Sequence, residues 1–487
     1  MDRWPHQEFA LTAFLRSAAA GRKRILLTSP TGGGKTNMVF DIAQTFALDV
    51  GEPVALFTNR KLMIEQLGDA LAKAGYHYGV CSAGHAREDS LFQIVSMQTT
   101  TSRGLDWLPP AKLVIIDEHH LHKSDNVLEI QKHYLMQGAT WLGITATPID
   151  LGHLFDELIT AGTNSELRAC GALVKAVHIG PDEPDLKAYK ADLAAGKDIS
   201  EQKQRTVLGQ SAHLFGRVFE WFERLNPQHK PTLLFAAGVA ESLWFAQEFR
   251  KRGVNAAHID GQDVWMDGEL QRTSPEAREK VLRGSKEGTI PVICNRFILR
   301  EGIDAPWLQH GIFACCFGSL QSYVQSGGRL LRSYPGMDSV CIQDHGGNWH
   351  RHGSLNADRQ WSLDCTAAML AGWREERIRA NVEPEPFRCP KCAAIMTRGP
   401  TCKECGFAFT GKRSRPVVMS DGEIKEQTGD IYPERKRVMK PDTQKRWTSA
   451  YFQAKASKQG MTFRQAEGLF AHKFHYWPVR TLHFMPR

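Results

Sequence analysis

Lys35, Asp117 and Glu118 are the side chains whose types and positions could do chemistry. Lys35 follows three consecutive glycines, beginning at Gly32, and precedes a helical stretch. Glycines let backbone N–H groups turn inward around phosphate oxygens, and a helix N-terminus and a lysine add positive charge. Asp117 and Glu118 end an apolar run, where one carboxylate can hold a divalent cation and the other can activate water. Together these residues predict hydrolysis of a bound nucleotide in the presence of Mg²⁺.

The phosphate loop, residues 29–36, reads Ser-Pro-Thr-Gly-Gly-Gly-Lys-Thr. In this pattern Lys35 reaches the β- and γ-phosphates, and the Thr36 hydroxyl holds Mg²⁺ together with Asp117. Position 29 is serine where the general pattern has glycine. The alternative is a glycine-rich turn beside a surface lysine, which the flanking strand and helix patterns disfavour. The residues predicted to bind nucleotide here are Thr31, Gly32, Gly33, Gly34, Lys35 and Thr36.

Short apolar runs bounded by polar or turn residues are the elements that must position these side chains. Each run is followed by a longer amphipathic stretch, which predicts buried parallel strands joined by helices. The first run leads into the phosphate loop, and the fourth ends at Asp117. The four runs are 24–28, 54–58, 92–96 and 113–117.

A second series of apolar runs begins near residue 231 and repeats this plan. Its runs are 232–235, 254–259, 292–294, 311–315 and 339–342. Two α/β domains with parallel sheets are therefore expected to follow each other. We place the first domain at 1–180, a charged and alanine-rich linker at 181–207, and the second domain at 208–360.

Further motifs in a fixed order resemble helicase superfamily 2, the DEAD/DEAH-type ATP-dependent helicases and translocases. The sequence DEHH at 117–120 is similar to the family's second motif, and TATP at 145–148 to its third, which couples hydrolysis to domain movement. Gln7 resembles the glutamine that reads adenine. The resemblance implies two tandem RecA-like domains with the ATP cleft between them. It assigns coupling roles to Thr145, Thr147, His120 and Gln325.

The second domain continues the resemblance. The sequence REGIDAP places Gly302 and Asp304 where the fifth motif senses nucleotide and strand. The sequence QSGGRLLR, which ends at Arg332, fits the sixth motif. There Arg329 and Arg332 would reach across the cleft to the γ-phosphate as planar bidentate donors. A basic amphipathic helix is the alternative for this segment taken alone. The resemblance thus implies catalytic roles for Lys35, Asp117, Glu118, Arg329 and Arg332.

Four of the eleven cysteines form two C-x-x-C pairs separated by nine residues. Four thiolates at this spacing can complete a tetrahedral Zn²⁺ site, which predicts a zinc ribbon at 385–412. Redox-active thiols are the alternative. The predicted zinc ligands are Cys389, Cys392, Cys402 and Cys405.

The positive charge is concentrated near the C-terminus. Residues 388–487 carry 20 Lys and Arg against 8 Asp and Glu, whereas the rest of the chain is slightly acidic. Such a tail is an electrostatic footprint for a polyanion. Within it, 440–487 is basic and rich in aromatic residues, which predicts a small helical module. A motor with a C-terminal zinc ribbon and such a tail resembles helicases carried by phages and prophages.

These features predict an ATP-dependent helicase or translocase with ATP, Mg²⁺ and Zn²⁺ as cofactors and nucleic acid as partner, DNA being favoured over RNA. Replication, recombination or repair is the expected process. The open alternatives are the motor subunit of a restriction or defence system, an RNA helicase, and a non-catalytic nucleic-acid-binding scaffold. The segment 423–425 has the E-x-K form of a nuclease motif, but the sequence shows no strand around it. The absence of an apolar run of about 18 residues predicts a cytoplasmic protein without membrane contact.

Overall fold

The computed structural model describes residues 3–58, 61–86, 88–122, 125–181, 214, 217–296, 305–366, 387–388, 395–396 and 423–428. Several predicted features lie outside these residues: the linker beyond Pro181, Gly302 and Asp304, the four paired cysteines, and the 440–487 module. Among the described helices, none is long and apolar enough to cross a membrane.

The first sheet has seven strands in the order β3-β4-β2-β5-β6-β1-β7, and all its pairings are parallel. Because every strand runs the same way, the loops at their carboxyl ends meet at one edge. The strands are β1 (Arg24–Thr28), β2 (Val54–Thr58), β3 (Tyr78–Cys81), β4 (Phe92–Ser96), β5 (Leu113–Ile116), β6 (Thr140–Thr145) and β7 (Glu157–Thr160). The helices are α1 (Pro5–Ala19), α2 (Lys35–Thr45), α3 (Lys61–Lys73), α4 (Met97–Arg103), α5 (Asp125–Met136) and α6 (Asn164–Ala169).

The second sheet has nine strands in the order β12-β11-β10-β13-β9-β14-β15-β8-β18. Its six central strands are parallel, and the strands at both edges are antiparallel. The strands are β8 (Lys175–Pro181), β9 (Thr232–Ala236), β10 (Ala256–Ile259), β11 (Asp263–Met266), β12 (Glu269–Arg272), β13 (Val292–Asn295), β14 (His310–Ala314), β15 (Ser339–Asp344) and β18 (Ile424–Gln427). The helices are α7 (Val218–Leu225), α8 (Val239–Lys251), α9 (Pro275–Glu287), α10 (Leu320–Gly328) and α11 (Asn348–His352).

All nine apolar runs predicted as strands are strands, and the α/β class with two parallel-sheet domains is confirmed. The central strands β1, β2, β5, β9 and β14 are buried on both faces, which is why they read as continuous apolar runs. Two apolar clusters cover the two faces of the first sheet, and a third fills the second domain.

Two strands near the domain boundaries differ from the sequence interpretation. β8 lies within the range predicted for the first domain, yet it pairs with β15 in the second sheet. The sequence around Ile424 shows no strand pattern, but the segment forms β18, which runs antiparallel to β8 at the edge of the second sheet. Both pairings join residues far apart in sequence, so no local pattern specifies them.

Two buried histidines in the second sheet make its stability depend on pH. Burial lowers the pKa of His178 to about 3, with the Arg359 charge acting in the same direction. Burial also lowers the pKa of His310 to about 4, although a hydrogen bond with Gln343 opposes this. The unfolded chain therefore takes up these protons near pH 6.5, whereas the folded chain stays neutral. Stability is lost as the pH falls below about 6.5.

We predict that His310→Gln reduces this loss. Between pH 7.5 and pH 5.0 the wild-type protein should lose about 2 kcal/mol more unfolding free energy than the variant, because only the wild type has this site to protonate on unfolding. Urea unfolding followed by tryptophan fluorescence at the two pH values measures the difference. Equal losses in both proteins would contradict the prediction.

Candidate active site

The phosphate loop connects β1 to α2, and its three glycines are required by both backbone and space. Gly32 and Gly34 have φ values of +90° and +74°, which side chains rarely adopt. A Cβ at Gly32, Gly33 or Gly34 would lie 2.8 Å or less from a neighbouring atom. At Gly34 that atom is Nε2 of Gln7, 2.4 Å away. Because these positions carry no side chains, the backbone N–H groups at the start of α2 are accessible to phosphate oxygens, as phosphate binding requires.

Lys35 is the first residue of α2, and the charges of both domains act on it. Burial lowers the pKa of the Lys35 ammonium group. The carboxylates of Glu118 and Asp117 raise that pKa, and the guanidinium groups of Arg329 and Arg332 lower it. The five residues predicted to be catalytic are thus brought together electrostatically, three from the first domain and two from the second.

Asp117 and Glu118 follow β5 directly, at the carboxyl edge of the first sheet. Glu118 adopts a left-handed conformation, with φ of 48°, and its N–H donates to Oδ1 of Asp117 at 2.9 Å. A left-handed glutamate is uncommon and persists only where its surroundings enforce it. The backbone after β5 is therefore held in a fixed turn at the two carboxylates.

His120 connects the two domains. Its Nε2 lies 2.9 Å from Nε2 of Gln325 on α10, and the amide donates to the ring. The neutral ring then carries its proton on Nδ1, which lies 2.9 Å from Oγ1 of Thr145 and 3.3 Å from Oε2 of Glu118. The N–H of Thr147 also donates to Oγ1 of Thr145, at 3.1 Å. The four residues predicted to couple hydrolysis to movement therefore form one buried chain of contacts.

His119, next to His120, faces the apolar core. Its Nε2 accepts a hydrogen bond from the Trp141 indole at 3.2 Å, and its ring packs edge-on against Phe155. The two histidines of the DEHH sequence thus have different surroundings. Only His120 reaches the other domain.

The helix α10 approaches the phosphate loop closely. A Cβ at Gly328 would lie 2.3 Å from Cβ of Thr31, so only glycine allows this contact. Arg332 forms an antiparallel bridge with Leu173, and Leu173 would touch a Cβ at Gly32. The second domain therefore lies directly against the loop, which places Arg329 and Arg332 near Lys35.

His6 is a site residue that sequence reasoning missed. Its Nε2 donates to the carbonyl oxygen of Gly33 at 2.8 Å. Burial lowers the pKa of His6, while this bond and the Glu166 charge oppose the shift. The only sequence signal was its position beside Gln7, and a single histidine in an amphipathic helix is usually part of the packing. Here it fixes the middle of the phosphate loop.

Buried polar atoms without a partner among the described residues test whether a nucleotide fits. Nε2 of Gln7 is such an atom, since its amide oxygen accepts from the N–H of Trp4 but its nitrogen has no acceptor. Oγ of Ser29 and Oγ1 of Thr31 are likewise unsatisfied. A buried donor left without an acceptor costs about 1–3 kcal/mol. A base at Gln7 and phosphates along the loop would relieve this cost, so the residues fit ATP.

The histidines near residue 350 have structural roles. The Nε2 atoms of His350 and His352 donate to the carbonyl oxygens of Pro181 and Phe317. Within the described part of the chain there is no group of His, Cys, Asp or Glu that could hold a metal by itself. Thr36 and Asp117, the proposed Mg²⁺ ligands, would need a phosphate to complete the coordination.

Two family descriptions match the chain, one on each domain. Residues 1–150 match "Type III restriction enzyme, res subunit", and residues 217–334 match "Helicase conserved C-terminal domain". The matches fall on the two domains whose charged residues act on Lys35.

Relatives over longer ranges agree with this division. A 51.5 kDa protein of Lactococcus phage (isolate 7-9) is 26% identical over 445 residues, which cover 89% of each chain. The irc3 protein of Schizosaccharomyces pombe, named as a candidate mitochondrial ATP-dependent helicase, is 25% identical over 70% of this chain and 56% of its own length.

A solved structure shares the fold. The DUF1998 helicase MrfA, determined bound to DNA, is 18% identical with a TM-score of 0.50, over 70% of this chain and 48% of MrfA. This chain therefore spans about half the length of irc3 and of MrfA.

We predict that Gly34→Ala weakens nucleotide binding at least about tenfold, because left-handed strain and a collision with Gln7 together exceed about 1.4 kcal/mol. Titration with a fluorescent ATP analogue measures the affinity. Gly138→Ala is the matched control, since Gly138 has φ of +79° but a Cβ added there would meet nothing within 4 Å. Equal affinities for Gly34→Ala and the control would show that the collision at Gln7 is irrelevant.

Proposed function

We propose that this chain is a member of helicase superfamily 2 and an ATP-driven motor that moves along or unwinds DNA. The observation that carries this proposal is the division of one charged site between two domains. Lys35, Asp117 and Glu118 stand on the first, and Arg329 and Arg332 on the second. A nucleotide hydrolase needs no second domain for its chemistry, whereas a motor needs parts that move relative to each other.

In the proposed cycle each residue has a separate task. Lys35 and the phosphate loop bind the β- and γ-phosphates of ATP, and Gln7 binds the adenine. Glu118 accepts the proton of the attacking water. Thr36 and Asp117 would hold Mg²⁺, which would supply positive charge that neutralises the phosphates.

The second domain supplies the response to hydrolysis. Arg329 and Arg332 stabilise the charge that develops at the γ-phosphate and hold the cleft closed around it. The hydrogen bond between His120 and Gln325 makes the contact between the domains depend on the atoms beside Glu118. Loss of the γ-phosphate therefore removes the charge that attracts the two arginines, and the cleft opens.

DNA is the proposed track because of charge. The segment 431–487 carries 12 Lys and Arg against 3 Asp and Glu, and such a segment favours a polyanion. MrfA, which shares the fold, was determined bound to DNA. We further propose that Cys389, Cys392, Cys402 and Cys405 hold one structural Zn²⁺. In support, the antiparallel strands β16 (Phe387–Arg388) and β17 (Ile395–Met396) bracket the first cysteine pair in sequence.

A restriction or defence motor is the second candidate, favoured by the family description that matches residues 1–150. Such a system also needs a nuclease. The E-x-K segment forms β18, but β18 is an edge strand of the motor's own sheet, and the described residues offer no acidic metal cluster there. Incubation of plasmid DNA with the protein, ATP and Mg²⁺ tests this candidate. Cleavage would support it, and intact plasmid would count against a nuclease in this chain.

ATP turnover in the presence of different polymers tests the motor. We predict that DNA stimulates hydrolysis more than RNA, that Glu118→Gln lowers kcat by about 10²–10⁴-fold through loss of the base, and that Lys35→Ala abolishes ATP binding. Glu287→Gln, at an exposed carboxylate on α9, is the matched control. Turnover that no polymer stimulates would contradict the motor, and equal stimulation by RNA would contradict only the preference for DNA.

Truncation tests the basic tail. Because β18 completes the second sheet, a variant that ends before residue 424 would also unpair β8, so we choose a variant that ends at residue 430. We predict weaker DNA binding and a slope of log affinity against log salt that is less steep by about 0.9 for each phosphate that the shortened chain no longer neutralises. Fluorescence anisotropy over a salt series measures both.

Zinc content serves as the control in the same preparation. Both the full chain and the truncated variant retain all four paired cysteines, and each should contain one zinc per chain by elemental analysis. A content well below one in the full chain would exclude the four-cysteine site. An unchanged salt slope would exclude the tail from DNA contact.

A further inference from the structure

Residues 353–366, called the strap here, return from the second domain to the first. The strap follows α11, and near its start Leu355 is buried in the core of the second domain and would touch a Cβ at Gly327 of α10. Eight residues later, Leu363 packs against the core on the first sheet that contains Leu151 and Phe155. The strap is therefore a second connection between the domains, continuous with the chain of the second domain and docked on the first by non-covalent contacts, in addition to the passage from β7 to β8.

The first half of the strap is fixed to β8 of the second sheet and to α6. The side-chain amide of Asn356 makes two hydrogen bonds with the backbone of Ala176 in β8, at 2.9 and 2.7 Å, as a neighbouring strand would. The N–H of Leu355 donates to Nε2 of His178 at 3.1 Å. Helix α6 also contacts this part of the strap, since the guanidinium group of Arg168 donates to the carbonyl oxygen of Asn356 at 3.1 Å and the N–H of Ser165 donates to Oδ1 of Asp358 at 2.8 Å. These contacts tie the start of the strap to β8 of the second sheet and to α6.

The second half of the strap is fixed to one short loop of the first domain. The N–H of Asp150 donates to the carbonyl oxygen of Cys365 at 2.8 Å. A Cβ at Gly152 would lie 2.1 Å from the carbonyl oxygen of Leu363. Gly152 does not have a positive φ, so this carbonyl, rather than the backbone conformation, is what excludes a side chain there.

This loop, residues 149–152, directly follows the TATP sequence. The N–H of Ile149 donates to the carbonyl oxygen of Thr147, whose own N–H donates to Oγ1 of Thr145. Thr145 in turn contacts His120. A continuous series of backbone and side-chain contacts thus leads from the strap to the hydrogen bond between His120 and Gln325.

We propose that the strap positions the coupling motif: when Leu363 and Cys365 are docked on residues 149–152, they hold Thr145 and Thr147 in the arrangement that supports DNA-stimulated hydrolysis. This inference rests on the proposed function. The seven Cα–Cα steps from Asn356 to Leu363 can span at most about 24 Å, so a wide opening of the cleft pulls the strap from its loop. Leu363 and Cys365 are positioning residues, since they act through the coupling motif.

Gly152→Ala is the direct test, because its methyl group displaces the carbonyl of Leu363 without straining residue 152. The DNA-stimulated kcat should fall about three- to thirtyfold, the effect of a coupling free energy of about 0.5–2 kcal/mol. The KM for ATP and the unstimulated kcat should change less than about twofold, because the phosphate loop is untouched. Gly180→Ala is the matched control, since a Cβ there meets its neighbours at 3.5 Å or more.

Leu363→Ala is a second variant, in case Gly152→Ala fails to fold. It should lower the ratio of stimulated to unstimulated turnover in the same direction, and Leu363→Met should restore it, because methionine keeps the apolar contact. A purely structural defect would instead lower both rates together. Wild-type ratios in both Gly152→Ala and Leu363→Ala would overturn the proposal.

Alkylation of Cys365 reports docking without any turnover. Cys365 is 7% exposed, and burial raises the pKa of its thiol to about 11, so the docked thiol is protected from iodoacetamide. Peptide mass spectrometry should show faster alkylation of Cys365 in Gly152→Ala than in wild type, with buried Cys294 as internal reference. Equal rates would mean that the strap does not dock as proposed. If docking changes but the wild type hydrolyses no ATP, the proposed function fails and the docked strap stands as a domain tether alone.

Discussion

The balance of charge around Lys35 is the constraint on which the arrangement of the two domains depends. Two carboxylates of its own domain stabilise the ammonium group, and two guanidinium groups of the other domain repel it. Closure of the cleft therefore brings three positive groups against two negative ones. A polyanion between them changes this repulsion into attraction, since its negative charge attracts all three cations. If these residues perform the proposed chemistry, they also make domain closure depend on ATP.

The contact between His120 and Gln325 limits how the two domains can move relative to each other. The ring is buried and holds atoms from the second and third motifs on one side and α10 on the other. A rotation of either domain must break or exchange one of these bonds, and a buried donor left unpaired is costly. The interface therefore favours a few discrete arrangements over a continuous range.

The sequence sufficed for the parts that local patterns specify. Continuous apolar runs predicted β1, β5, β9 and β14, because a strand that is buried on both faces does not alternate between apolar and polar residues. The spacing of glycines before Lys35 predicted the phosphate loop. The resemblance to helicase superfamily 2 assigned coupling roles to both Thr145 and Gln325, and the structure brings these two residues together at His120.

The remaining features depend on pairings between distant residues. His6 reaches Gly33, β18 adds to β8, and Leu363 docks at Gly152, yet none of these residues stands in a pattern that distinguishes it from ordinary packing. Glu118 also adopts a left-handed backbone without the glycine or asparagine that usually signals one. Its conformation is imposed by tertiary contacts, which a sequence pattern does not encode.

The position of β8 has a consequence for how the protein is made. β8 leaves the ribosome about 160 residues before its parallel partner β15, and its other neighbour, β18, is later still. Until both arrive, β8 is a strand whose backbone groups have no ladder on either side, the kind of surface that other nascent chains can join. The second domain therefore cannot complete its sheet during most of its own synthesis, whereas all seven strands of the first sheet have been synthesised by residue 160. Because the chain is synthesised from its N-terminus, the first domain can complete its sheet before the second domain can.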